Sequence, residues 1–232
     1  MQKSLKHKTA ILIFANSSEV DGKYKRMAKS QILFNELNKQ TLLKVKKSKL
    51  PYFQLTQEKQ SGHSFGERIV NAMQYVYNLG YENVITIGND SPQLKTTHLL
   101  EANANLINGK TVIGPTFDGG FYLLGLNRTN FNASLFKRLP WKLLTLFTQL
   151  SSLFESKQVS MRNLETLHDI DSKKDIEKVL NYTKSISKNF LKFLAGFCNK
   201  APLIFKQRKT NSPQIYSLSF YNKGSPYIAL FE

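Results

Sequence analysis

The sequence predicts an α/β protein in three layers, α/β/α, built on a mostly parallel, doubly wound sheet and followed by a C-terminal helix and β-hairpin extension. Three observations predict it. A short, continuously apolar run at 10–14 and a second strand-like run at 84–88 have the character of parallel strands covered on both faces. Segments with helical spacing separate such runs, which is the alternation of a βαβ chain. The composition, 41% hydrophobic and 21% charged over 232 residues, is that of a folded globular chain with room for one full core and an extension.

Ala10-Ile11-Leu12-Ile13-Phe14 is the first strand, and a polar loop follows it. Ile32, Leu33 and Leu37 share a helical face between 28 and 37, and Thr41-Leu42-Leu43-Lys44-Val45 reads as the next strand. Ser64 with Glu67 is a capping-box pattern opening a helix whose apolar face is Ile69, Ala72, Met73, Val76 and Tyr77, with Gly80 as its stop. A strand at 84–88 follows, then a loop ending at Pro92 and a helix from about 97 to 107. Strands at 111–114 and 121–126 flank two glycines. Helical segments at 133–136 and 141–154, a short strand at 161–164 and a capped helix at 172–181 complete the pattern.

From 183 the composition shifts, so the chain divides into a domain at 1–182 and a basic extension at 183–232. Ile186, Phe190, Phe193, Leu194 and Phe197 form one helical stripe opposed by Lys184, Lys188 and Lys192. Such a stripe packs on its own domain or lies on a membrane surface. Alternation at Tyr216, Leu218 and Phe220, then Asn222-Lys223-Gly224, is a hairpin signal.

The formal charge of +17 raises nucleic acid as a partner, but its distribution argues otherwise. Residues 1–60 carry 13 lysines and arginines against 4 acidic residues, 61–182 carry 12 against 11, and 183–232 carry 8 against 1. The centre is nearly neutral, and the basic ends read first as solvated lysine faces, so nucleic acid is not the expected partner. No apolar run is long enough for a transmembrane span, and the first eight residues lack a cleavable apolar region, which together predict a cytoplasmic chain. The single cysteine, Cys198, sits in an apolar setting that predicts burial.

In a doubly wound sheet the ligand cleft lies beyond the carboxyl ends of the strands, so the loops there are the candidates for chemistry. Gly88-Asn89-Asp90-Ser91-Pro92 places a carboxylate directly after a buried strand. It suits a hard divalent cation that bridges phosphates, or equally an Asx-turn or helix cap. Asp118-Gly119-Gly120 lies between two strands. The glycines allow close backbone approach to a ligand, or simply make the hairpin turn that Asp118 favours. His168-Asp169-Ile170-Asp171-Ser172 supplies two more carboxylates. Asp171 could join Asp90 on a metal and Asp169 or His168 could position a substrate group, while Ser172 with Asp175 also reads as a helix cap. Glu67 is first a capping glutamate, and Arg68 beside it is exposed or phosphate-facing. The P-loop, dinucleotide-binding, zinc-protease and nucleophile-elbow patterns are all absent from the sequence.

Taken in order, these segments resemble the bacterial family of domain of unknown function 2064, which is glycosyltransferase-like and related to the 2-phospholactate guanylyltransferase of deazaflavin-coenzyme biosynthesis. The resemblance rests on Gln60-Ser61-Gly62 with Gly66-Glu67-Arg68, on Ile87-Gly88-Asn89-Asp90-Ser91-Pro92, on Gly114-Pro115 with Asp118-Gly119-Gly120-Phe121, on Pro140-Trp141, and on Asp169-Ile170-Asp171 with Asp175. It covers about residues 8 to 182. It implies the nucleotide-diphospho-sugar transferase (GT-A type) fold and a transferase that takes a nucleotide or nucleotide-sugar donor and a small-molecule acceptor. Asp90 and Asp118 are then the catalytic candidates, and Asp90 with Asp171 the ligands for Mg²⁺ or Mn²⁺. Gly66, Glu67, Arg68, Asn89, Gly119 and Gly120 would contact substrate or nucleotide. In the first loop the family's proline-rich segment ending in K-T-R-L is replaced by 16–27, where Arg26 fits and Lys23 or Lys25 stands in for the lysine. That departure supports an alternative from another class, a catalytically degenerate binding or scaffold protein that uses its basic ends for a phosphate-rich partner.

Overall fold

A computed structural model describes residues 8–24, 27, 29–141, 143–182 and 186–198 of the chain. The elements run β1 (Thr9–Phe14), α1 (Ser18–Tyr24), α2 (Ser30–Ser48), β2 (Tyr52–Leu55), α3 (Phe65–Asn78), β3 (Asn83–Ile87), α4 (Thr96–Ile107), β4 (Thr111–Pro115) and β5 (Phe121–Asn127). After them come α5 (Ala133–Lys137), α6 (Leu146–Ser156), β6 (Met161–Asn163), α7 (Lys173–Leu180) and α8 (Lys188–Ala195). One six-stranded sheet has the order β2-β1-β3-β5-β4-β6. β1 pairs in parallel with β2 and β3, and β4 pairs in parallel with β6. β5 alone runs antiparallel, between β3 and β4, because the glycine turn folds it straight back along β4.

Helices cover both faces, as the unbroken apolar strands require. On one face Ala10, Leu12, Phe14, Val84 and Leu124 pack with Ile69, Val70 and Met73 of α3 and with Leu150 and Phe154 of α6. On the other, Ile11, Ile13, Ile85 and Val112 pack with Val45 of α2 and Leu99, Ala102 and Leu106 of α4. A third cluster joins Leu33, Phe34 and Leu37 of α2 to Ile176 and Val179 of α7 and to Ile186, Phe190, Leu194 and Cys198 around α8. The aromatic stripe after 183 therefore packs on the chain's own helices in its described part, and Cys198 is buried. The hairpin expected after Pro213 lies outside the described residues.

Two elements differ from the sequence expectation. Residues 41–45 are the C-terminal half of α2, not a strand: Leu33, Leu37, Thr41, Val45 and Ser48 recur at three- and four-residue spacing on one buried face, while Leu43 is 44% exposed. A strand there would have needed both faces covered. The strand beside β1 is Tyr52–Leu55, just after Pro51, an edge strand whose residues alternate between more and less exposed. The loop after β1 also folds further than its polar composition suggests, into the short helix α1.

Candidate functional site

The carboxyl edge of the sheet gathers three loops. The loop after β3 carries Asn89 and Asp90 and is stitched to the 167–171 segment. The Ile170 N–H donates to the Asp90 carbonyl at 2.9 Å, the His168 N–H donates to Oε1 of Gln93 at 2.9 Å, and the Ser91 hydroxyl donates to Oδ1 of Asp169. The same segment is tied to the β4–β5 turn: the Leu167 N–H reaches the Pro115 carbonyl and the Phe117 N–H reaches the Leu167 carbonyl, both at 3.1 Å. Asp90, Asp169 and Asp171, distant in sequence, thus share the wall of one cavity of about 330 Å³.

A fourth carboxylate comes from the first loop. Asp21 of α1 is buried in the wall, accepting from Nδ2 of Asn16 at 2.8 Å and from Nδ2 of Asn89 at 3.1 Å. Asn89 also donates to Oδ1 of Asn38 at 2.8 Å, so its amide links α1, α2 and the β3 loop. Gln57 holds the start of α1, accepting from the Ser17 N–H at 2.6 Å and donating to the Ser17 hydroxyl at 3.1 Å.

The electrostatics of this edge are strained. Removal from water, reinforced by the neighbouring Asp90 carboxylate, pushes the Asp169 carboxyl well above the usual carboxylate range; Asp118 and Asp171 add to the effect and the Ser91 hydroxyl opposes it. A carboxyl raised by burial and a like-charged neighbour is relieved by a proton or a cation. Behind the loop, Nζ of Lys44 donates to the Pro92 carbonyl at 2.9 Å, and burial pushes that ammonium down to about 8. The rest of the cavity is of different character: Phe65, Arg68 and Ile69 from α3, Thr86 from β3, Phe121 from β5, and Trp141 and Leu146.

The residues singled out from the sequence divide clearly. Asp90, Asp171, Asn89, Arg68 and Gly120 line the cavity. Asp118 lies beside it in an exposed turn, where Oδ1 accepts from the Thr116 hydroxyl at 2.5 Å and the Gly120 N–H at 3.1 Å. Gly119, at φ +87°, seats the segment before α6: a Cβ there would stand 1.9 Å from the Leu144 carbonyl oxygen, and its own carbonyl accepts from the Phe147 N–H at 2.9 Å. Gly66 gives way to a side chain, since a Cβ would stand 2.7 Å from Cδ1 of Trp141. Glu67 closes the capping box of α3, with Oε2 taking the His63 N–H at 2.7 Å and the Ser64 N–H at 3.2 Å, bonds that hold its carboxyl below the usual range. Lys23 borders a separate shallow depression with Glu19 and Lys29, while Lys25 and Arg26 lie outside the described residues.

Asp169, which the sequence offered with His168 for positioning a substrate group, lines the cavity, as do Asp21, Thr86 and Trp141, which the sequence did not place there. Thr86 did carry a signal, as the one hydroxyl in Val84-Ile85-Thr86-Ile87.

Residues 24–142, half of the chain, match the profile of the family described as "Uncharacterized protein conserved in bacteria (DUF2064)". The chain belongs to this family. Among solved structures, a protein from Desulfovibrio desulfuricans G20, provisionally named a nucleotide-diphospho-sugar transferase, superposes at a TM-score of 0.69, with 19% identity over 82% of this chain and 94% of that one. The DUF2064 chain therefore has the nucleotide-diphospho-sugar transferase fold. A Mycobacterium tuberculosis H37Rv protein crystallised with manganese (13% identity, 75% and 97% of the chains, TM-score 0.43) and a CMP:2-keto-3-deoxy-manno-octonic acid synthetase complexed with CTP (10%, 74% and 95%, 0.42) are more distant. At those scores neither carries an argument here. No functionally curated protein matches the chain. Among the described residues no helix is long and apolar enough to cross a membrane.

Proposed function

We propose that this DUF2064 chain is a metal-dependent transferase that moves a glycosyl or nucleotidyl group from a nucleotide-activated donor to a small acceptor. The observation that carries this reading is the convergence of Asp21, Asp90, Asp169 and Asp171 with Arg68 on one cavity at the carboxyl edge of the sheet. In open α/β sheets that edge is where nucleotides bind.

The donor set fits Mg²⁺ or Mn²⁺. All its groups are hard oxygens, and burial, reinforced by the neighbouring Asp90 carboxylate, raises the Asp169 carboxyl. Among the described residues no three histidine, cysteine, aspartate or glutamate side chains converge into a ready cage. Water and phosphate oxygens would have to complete its coordination. Asp90 and Asp171 would hold it, with Asp169, oriented by the Ser91 hydroxyl, beside them. Bound there, the ion would neutralise charge developing on the departing phosphate. Arg68 would meet an anionic substrate group, Lys25 and Arg26 the donor phosphates, and the Asp118-Gly119-Gly120 turn would shape the acceptor side. Catalysis is then positioning and charge neutralisation, with no covalent nucleophile.

One observation favours the rival reading of a non-catalytic binding protein: the residue that α1 sends into the cavity is Asp21, while Lys23 faces a different depression. Thermal unfolding of the wild type and Asp90→Ala with nucleoside triphosphates and nucleotide sugars, each with and without Mn²⁺, separates the two. A ligand at about 100 times its Kd adds roughly 2.7 kcal/mol. A Mn²⁺-dependent shift seen only in the wild type supports the transferase; a flat panel on folded protein supports the binding protein.

A further inference from the structure

The cavity wall contains two buried polar atoms with no hydrogen-bond partner among the described residues, Nε of Arg68 and Oγ1 of Thr86. Thr86 is 2% exposed. It stands in β3 between Leu12 and Leu124 in register, on the side of the sheet where Val84, Leu12 and Phe14 meet Ile69 and Met73. Valine would fill the same space without a polar atom, and a buried unsatisfied hydroxyl is destabilising. Arg68 is the cation among the cavity-lining residues, and a guanidinium is built to meet a planar or tetrahedral oxyanion through its fork of N–H groups. Around these atoms the wall is aromatic: the Trp141 ring lies 6.0 Å from that of Phe65 and 5.9 Å from that of Phe121. Its indole N–H is already given to the Phe136 carbonyl at 2.7 Å, so Trp141 offers carbon surface and not a donor.

We propose that Arg68 and Thr86 form an oxyanion subsite for a carboxylate or phosphate monoester on a small molecule whose apolar or planar body lies against Phe65, Phe121 and Trp141. The subsite needs no metal, unlike the aspartate-rich part of the cavity, where an anion arrives only with a cation. It therefore belongs to the acceptor, which makes the acceptor a small organic anion. This deepens the transferase reading and rests on it for the word acceptor; the site itself is tested without metal or donor, so either can fail alone.

Trp141 is the single tryptophan of the chain, so its fluorescence reports on this cavity directly. The full chain in EDTA, at constant ionic strength held with chloride, is titrated with phenyl phosphate, benzoate, inorganic phosphate and uridine monophosphate. The wild type should give a saturable change with phenyl phosphate or benzoate. Arg68→Met should weaken it by roughly tenfold or more, and Thr86→Val by about two- to tenfold, the loss of one charged and one neutral hydrogen bond. Thr86→Val should meanwhile unfold at the same or a higher temperature than the wild type, because it removes an unsatisfied hydroxyl. A linear response shared by Arg68→Met overturns the subsite, and so does a Thr86→Val protein that is less stable yet binds as before. Tighter binding of uridine monophosphate than of phenyl phosphate overturns the assignment to the acceptor.

Discussion

Gly119→Ala should be among the most damaging alanine substitutions in the candidate site, and its cost can be worked from two features. At φ +87° an alanine is held in left-handed backbone, at about 1–2 kcal/mol. Its Cβ would also stand 1.9 Å from the Leu144 carbonyl oxygen and 2.7 Å from the carbonyl carbon, which is backbone and not a flexible side-chain end. The segment before α6 must move away, breaking the 2.9 Å bond from the Phe147 N–H to the Gly119 carbonyl, worth about 0.5–1.5 kcal/mol. The sum, roughly 1.5–3.5 kcal/mol, lowers Tm by about 3–14 °C in a chain of this size. Gly109→Ala is the internal control: its φ is +76°, but nothing lies within 4 Å of the added Cβ, so only the backbone strain of about 1–2 kcal/mol applies. Circular-dichroism melts of both variants decide the matter. Equal losses would refute the claim that Gly119 is required by the docking of the 143–147 segment.

Lys44→Met should stabilise the protein at pH 7 by roughly 1–3 kcal/mol, because burial lowers the ammonium from 10.5 to about 8 and each pKa unit is worth about 1.4 kcal/mol, less the bond lost at Pro92. The unfolded chain binds more protons than the folded one between pH 8 and 10.5, so wild-type stability relative to the variant rises across that window and is lost as pH falls through 8. Urea unfolding at pH 7 and pH 10 should show the gap closing, and a constant gap would contradict it. Ser64→Ala should lower stability by about 1 kcal/mol, since its side chain accepts the Glu67 N–H at 3.1 Å and anchors the turn that carries Arg68. An unchanged urea midpoint would show that the cap does not hold this turn.

Strands covered on both faces were legible because nothing else explains five apolar residues in a row, and the α3 cap was legible because its two residues signal to each other locally. The 41–45 segment misleads because threonine, leucine and valine serve either element. What decides it is the buried helical face that Leu33 and Leu37 begin N-terminal to it, together with Pro51 just beyond, where the edge strand starts. Asp90 could be placed from its strand alone. Asp169 and Asp171 reach it only through bonds between loops far apart in sequence, such as Ile170 to the Asp90 carbonyl, which no local pattern announces. Gly119 and Gly66 were visible as functional glycines, but the groups they make room for, the Leu144 carbonyl and the Trp141 ring, are tertiary neighbours. Asp21 was hidden by the basic residues around it, and its burial follows from the folding of α1 against α2.

The central claim, that the aspartate-rich edge of this cavity binds a divalent cation together with a nucleotide, is tested most directly by titrating Mn²⁺ and following the free ion by electron paramagnetic resonance, with and without nucleoside triphosphate. The wild type should bind Mn²⁺ more tightly when nucleotide is present, and Asp90→Asn, folded to the same extent by circular dichroism, should lose that tightening. An Asp90→Asn protein that binds Mn²⁺ and nucleotide as the wild type does would contradict the account.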